Sequence, residues 1–266
     1  MRESLALLRA AWLTESSYRL NMGFSLASLA FIVVPLFFVT KALQPMMATS
    51  ISTQSPQYFA FALVGAMTLT VISASASALP SALASAIGRG TLEAFLATPT
   101  NPLVLFTGMS AYGILWALLR AAVMLAAGMV LGVHVAWANT LTIALIVVLL
   151  IAVHAAIGLA ASSMLLCFRT TGPLITGILA VSALLGGAYY PTHVIPSWLQ
   201  ELSKWLPITY GLRALRQAAL LNEPFSAVAA DVGILAAFTV VLLVAGGLTL
   251  RAALGHARRT GSLSHY

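Results

Sequence analysis

Long apolar stretches broken by short polar interruptions run the length of the chain, and their lengths set the architecture. No charged residue occurs within 42–88, 94–119, 121–168, 170–200 or 232–250. A helix needs about 20 apolar residues to cross a hydrocarbon core of about 30 Å. Lipid admits only backbones whose hydrogen bonds close internally. The stretches lack the two-residue alternation of a membrane β-strand, so the pattern predicts helices. Six spans are expected, at 22–43, 58–79, 103–133, 141–166, 173–188 and 232–250. Pro35 should kink the first. A polar loop from Gln44 to Gln57 should separate the first two, and the fifth span is short for a full crossing.

Three segments fit neither a span nor a free loop. Residues 1–20 place Leu5, Leu8 and Trp12 on one helical face and Arg2, Arg9 and Ser16 on another, with Glu15 and Arg19 spaced as an i,i+4 pair. This predicts an interfacial helix lying on the inner leaflet. Arg9 interrupts the apolar stretch 5–13 and no small-residue cleavage site follows, so a cleavable leader is not expected. Residues 88–99 carry Thr91 as a helix cap, Glu93 in a first turn, an apolar face of Leu92, Phe95 and Leu96, and Pro99 as a stop. So short an apolar face has nothing of its own to cover it, and it either lies on the membrane or docks into a partner.

Residues 189–225 are too polar to cross and too apolar to float. Trp198, Leu199, Leu202, Trp205 and Leu206 form a stripe that Pro207 should stop. A second helix should start near Thr209, with Arg213 and Arg216 three apart on its surface. Two short helices after a short span predict a re-entrant hairpin on the outer side, the alternative being a pair lying flat on that surface. The expected fold class is therefore all-α integral membrane: six transmembrane helices, an N-terminal interfacial helix, and a re-entrant helical hairpin before the sixth span, forming one transmembrane domain over 1–266.

Composition sharpens this picture. The chain is 61% hydrophobic and 7% charged, against about a quarter charged in soluble domains. That excludes an ordinary water-soluble globule and a disordered chain. The net charge of +7 is spread as single residues between apolar runs, which argues against nucleic-acid binding and for an anionic inner leaflet. With both termini inside, Arg2, Arg9, Arg19, Arg89, Arg169, Arg251, Arg258 and Arg259 lie on the cytoplasmic side, against Lys41, Lys204, Arg213 and Arg216 outside. That asymmetry follows the positive-inside rule.

Few residues offer chemistry. Arg120, deep in the third apolar stretch, would cost about 2.5–3.5 kcal/mol at a bilayer centre. It either faces a substrate cavity or snorkels to neighbouring carbonyls. His154 lacks a second ligand at helical spacing, so a helix–helix hydrogen bond is expected rather than a metal. Ser73, Ser75, Ser77 and Ser81 among alanines form a close-packing surface. Tyr189 and Tyr190 either stack on a passing substrate or join an aromatic belt. The lone Cys167 is expected to be inert packing. No phosphate loop of the form GxxxxGK[ST] occurs, and no carboxylate lies inside an expected span, so neither ATP nor ion coupling is provided by these spans.

The run Gly90-Thr91-Leu92-Glu93-Ala94-Phe95-Leu96-Ala97-Thr98-Pro99 resembles the "GTLE.LL.TP" loop of type-2 ABC-exporter (ABC-2) permeases. The residues Gly186-Gly187-Ala188-Tyr189-Tyr190-Pro191, Ile195-Pro196-Ser197-Trp198-Leu199, Pro207 and Tyr210-Gly211-Leu212-Arg213 resemble the second signature of that family. The six-span plan and the length match as well, and the basic tail 251–259 looks like the drug-resistance and nodulation-factor branch.

The resemblance implies a non-catalytic permease of a prokaryotic plasma membrane, the inner membrane if Gram-negative. It would work as a dimer with a second copy or paralogue and two ABC ATPase subunits, which carry ATP and Mg; this chain would bind no cofactor and no metal. Gly90, Thr91, Leu92, Glu93, Phe95, Leu96 and Pro99, with Arg9 and Trp12, would contact the ATPases. Tyr189, Tyr190, Pro191, Trp198 and Arg120 would line the gate and substrate path. An amphipathic, drug-like or lipid-like cargo is expected, with a polysaccharide or glycolipid exporter as the near alternative and an ion-coupled carrier as the distant one.

Overall fold

The computed structural model describes residues 19–91, 102–168 and 172–260, and among these every regular element is helical. The fold is all-α. The helices are α1 (Arg19–Ala27), α2 (Ala30–Ile51), α3 (Tyr58–Gly88), α4 (Pro102–Val130), α5 (Thr140–Phe168), α6 (Gly172–Leu185), α7 (Ser197–Ser203), α8 (Pro207–Leu220) and α9 (Phe225–Thr260). Short 3₁₀ turns, Trp137–Asn139 and Thr192–Val194, precede α5 and α7. The expected helix at 1–20, apart from its last two residues, and all of 88–99 beyond Thr91 lie outside the described residues.

Among the described residues, five helical stretches are long and apolar enough to cross a membrane: Met22–Ile51, Tyr58–Gly88, Ser110–Val130, Trp137–Phe168 and Phe225–His256. The expected fifth span is not among them. Its helix, α6, has 14 residues, about 21 Å at 1.5 Å per residue, well under the hydrocarbon thickness. Its last three expected residues, Gly186 to Ala188, form a turn instead.

The crossing helices outrun the apolar windows that mark them. α2 continues past Leu43 and through Pro45 to Ile51, where a loop from Gln44 was expected. Gln44 stays in the helix because its Oε1 accepts from the Tyr58 backbone N–H at 2.6 Å, capping the start of α3. α3 passes Pro80 and ends nine residues beyond Leu79, at Gly88. There Leu79, Leu83 and Ala86 pack with Leu165 and Leu166 of α5 and Leu250 and Ala253 of α9. α9 likewise extends beyond 232–250 at both ends.

The core is a bundle with α3 between α4 and α5, α9 lying along α5, and α8 wedged against α3, α5 and α9. Lipid is as apolar as leucine, so burial against it gains little and close packing carries the association. Small residues allow that closeness. A Cβ on Gly158 of α5 would sit 2.6 Å from the Ala76 carbonyl oxygen of α3, and one on Gly246 of α9 would sit 2.6 Å from the Ala156 carbonyl oxygen of α5. The small-residue surface of α3 is thus a helix-packing face at Ser75 and Ala76.

α8 departs most from expectation. Pro207 starts it, occupying the first helical turn where the missing N–H costs nothing. It runs antiparallel to α9: Arg213 pairs with Asp231, and the Tyr210 ring lies 6.1 Å from that of Phe238. Phe238 is about 20 Å along α9 from its start at Phe225. Gly211 touches Leu150, about 15 Å into α5, whereas the Ala136 N–H donates to Ala219 at the α5 entrance. α8 therefore begins deep in the bundle and climbs to the level where α5 and α9 begin. Asn222, in the left-handed region at φ 57°, ends it.

Candidate functional site

Fully buried Arg216 organises the end of the bundle where α3 and α9 start. It was expected on a surface; it is 1% exposed. Its Nε and Nη2 donate to the Phe61 carbonyl at 3.2 and 3.0 Å, and Nη2 also to that of Ala188 at 2.7 Å. Nη1 donates to the Gly187 carbonyl at 2.8 Å and to Gln54 Oε1 at 3.3 Å. The guanidinium lies 3.4 Å over the Phe61 ring centre. A buried cation is costly unless its donors are met. Here all five N–H groups find oxygen, and the ring face supplies a cation–π contact. Among the described residues no carboxylate pairs with it, so its charge stands uncompensated.

These bonds clamp the turn 186–190 to α3. Gly187 adopts φ 79°, which a side chain resists. A Cβ on Gly65 would fall 1.8 Å from the Ala188 carbonyl oxygen, so only glycine lets the turn lie this close to α3. The Tyr58 hydroxyl donates to the Tyr189 carbonyl at 2.9 Å, and the Tyr190 hydroxyl donates to that of Leu184. The turn is thus tied at both ends, to α3 and to α6. Beside it, Arg213 Nε and Nη2 hold the Asp231 carboxylate at 2.6 and 2.5 Å. Asp231 lies just before the expected sixth span at 232–250, but α9 starts six residues earlier and takes it inside the helix.

The residues singled out from the sequence divide accordingly. Tyr189, Tyr190 and Pro191 belong to the clamped turn, although Tyr189 engages α3 through its backbone and leaves its ring half-exposed. Trp198 lies on α7, 65% exposed. Arg120 joins neither group. It sits about 15 Å from either end of the Ser110–Val130 stretch, half-buried, with Nε enclosed and without a partner among the described residues. Gly90 and Thr91 terminate α3: Gly90, at φ 66°, donates to Ile87 at 2.9 Å and the Thr91 N–H to Ala86 at 2.9 Å. That is a Schellman closure, and the Thr91 hydroxyl also donates back to Ala86 at 3.3 Å. Leu92, Glu93, Phe95, Leu96, Pro99, Arg9 and Trp12 lie outside the described residues. Among the described residues His154 makes no hydrogen bond to another helix; its Nδ1 lies 2.8 Å from the Leu150 carbonyl oxygen of its own helix. Cys167 is exposed rather than packed.

An apolar cavity of about 220 Å³ opens between α3, α4, α5 and α8. Val64, Val71, Leu118, Leu125, Val147 and Leu215 are among its walls, with Thr68, Thr140 and Trp137 the few polar groups. Nothing in local periodicity announces this cavity or Arg216. The only cue was a pair of arginines on a helix flanked by apolar residues.

The sequence pattern of the ABC-2 type transporter matches residues 5–220. The chain belongs to the ABC-2 type transporter family. It is a multi-pass membrane protein and the permease part of an ABC transporter. The ABC-2 match takes in the clamped turn and stops at Leu220, the last residue of α8, leaving α9 beyond it. No curated protein matches the chain in a sequence comparison.

Proposed function

We propose that this ABC-2 permease exports an amphipathic, drug-like or lipid-like molecule, powered by two separate ABC ATPase subunits and paired with a second permease copy or paralogue. One observation carries the reading. A chain of a transporter family moves cargo, yet its 266 residues hold no phosphate loop. That is what a permease driven by separate ABC ATPase subunits would look like, with ATP and Mg bound on those subunits. The chain itself is non-catalytic on this reading and sits in a prokaryotic plasma membrane with both termini in the cytoplasm.

The cargo class rests on the walls. The cavity beside α8 offers hydrocarbon and only two hydroxyls and an indole, a lining suited to an alkyl or aryl group and poor for a sugar chain. The depth of the α8 start and the half-length of α6 support a re-entrant hairpin over 189–225, which would form the outer gate with Tyr189, Tyr190, Pro191 and Trp198. Arg120, at mid-span with an unmet donor, would meet an anionic part of the cargo. At the other end of α3, Gly90 and Thr91 start the segment that would dock, with Leu92, Glu93, Phe95, Leu96 and Pro99, into the ATPase, helped by Arg9 and Trp12.

The test is reconstitution with and without the ATPase. Transport should need ATP and both subunits. Glu93→Ala, and separately Leu96→Asp, should leave insertion intact and uncouple ATP hydrolysis from transport. Normal transport in both variants would remove the docking claim, and proton-driven transport by this chain alone would overturn the export reading.

A further inference from the structure

A second, polar pocket lies against the clamped turn. Its volume is about 210 Å³ and its walls include Thr53 and Gln54 from the α2–α3 loop, Gly187, Thr192 and His193 from the turn, and Arg213 and Arg216 from α8. That is room for about seven waters at ~30 Å³ each, or for one tetrahedral oxyanion with part of its hydration. No carboxylate among the described residues lines it. Of the three described acids, Glu201 holds Lys204, Asp231 holds Arg213, and Glu223 forms no ion pair among the described residues, so none pairs with Arg216. The pocket therefore faces one whole uncompensated positive charge, sunk where solvent screens it weakly.

Donors for an anion are at hand. Asp231 occupies Arg213 Nε and Nη2, leaving Nη1 with two N–H groups unused among the described residues. Thr53 is exposed, Thr192 half-exposed, and neither hydroxyl is spent on a described hydrogen bond. Trp198 and Trp205 stand exposed on and just after α7, which follows the turn. Exposed tryptophans favour the headgroup level of a bilayer.

We infer that the pocket bounded by Thr53, Thr192, Arg213 and Arg216 binds a phosphate-type oxyanion, supplied by a lipid headgroup or free in solution. Arg216 attracts it through charge, its own N–H groups being committed; Arg213 Nη1 and the threonine hydroxyls hold it. Occupancy would neutralise the buried cation and tighten the turn on α3. The inference is independent of the export reading, because binding is measured without transport.

The experiment uses the full chain in maltoside micelles, which contain no phosphorus. Thermal midpoints are followed while inorganic phosphate replaces chloride at constant ionic strength, and in a second arm while phosphatidylglycerol is added to the micelles. A rise with phosphate alone identifies a free oxyanion, and a rise with the lipid alone identifies a headgroup. Thr53→Glu places a carboxylate at the mouth on an exposed residue. It should weaken either response at least about tenfold, the scale of one partly screened like-charge contact, and Thr53→Lys should strengthen it. No response in either arm, or the same response from wild type and both Thr53 variants, would overturn the site. Loss or retention of ATP-driven transport in these preparations does not alter that outcome.

Discussion

Replacing Gly65 by alanine probes the clamp with a single methyl group. The new Cβ would lie 1.8 Å from the Ala188 carbonyl oxygen and 2.9 Å from Arg216 Nη2. Real contacts need about 3.3 Å, so the turn must retreat by about 1.5 Å or α3 must bow. Retreat stretches the Arg216 bonds to Gly187 and Ala188 from 2.8 and 2.7 Å beyond 4 Å, outside hydrogen-bond range. Two bonds to a charged donor are worth about 1.5–3 kcal/mol each, and overpacking adds about 1–3 kcal/mol. The better helix propensity of alanine returns about 1 kcal/mol. The sum is a loss of roughly 3–8 kcal/mol. Gly113→Ala is the control, since its Cβ would meet only Ala78 Cβ at 3.6 Å and should be neutral or slightly stabilising. The assay is the thermal midpoint in detergent, with labelling of an introduced Tyr189→Cys, whose side chain takes no part in the clamp, on a Cys167→Ser background, to report turn exposure. If Gly65→Ala unfolds no earlier than Gly113→Ala and labels no faster, the clamp is not what positions the turn.

The ion pair between Arg213 and Asp231 gives a second expectation. Asp231→Asn and Arg213→Met singly should each destabilise, the latter by about 3–5 kcal/mol because it strands a carboxylate whose side chain is 12% exposed; the double variant should recover much of that loss, and additive losses would refute coupling. Arg120→Leu should raise the thermal midpoint, since the centre of a span charges about 2.5–3.5 kcal/mol for arginine, while lowering transport of an anionic cargo. Unchanged transport would take Arg120 out of the substrate path.

Much of the framework was readable from charge-free lengths alone, because lipid enforces helix wherever apolar runs are long. What those lengths could not give is where helices end. An apolar window marks the hydrocarbon, whereas α2 and α3 continue past Leu43 and Leu79 on contacts made by Gln44 with Tyr58 and by Leu83 with its neighbours in α5 and α9. The signature residues 186–191 were legible as a unit, and they do form one tied turn. Arg216 was misplaced for a physical reason. Two arginines three apart read as a solvated face unless acceptors are known, and its acceptors come from Gln54, Phe61, Gly187 and Ala188, 28 to 162 residues away in sequence. The half-length of α6 was anticipated in part, since its apolar run was already short.

The 31 residues of α3 join two ends that have different work. One end is finished by Gly90, where the backbone reverses hand; the other bears the Phe61 carbonyl that receives Arg216. A rod about 46 Å long behaves as a lever. Tilting it by about one degree sweeps the far tip about 0.8 Å, comparable with the whole distance tolerance of a hydrogen bond. Small angular play at the Gly90 end is therefore enough, by geometry alone, to loosen or seat the latch at the other.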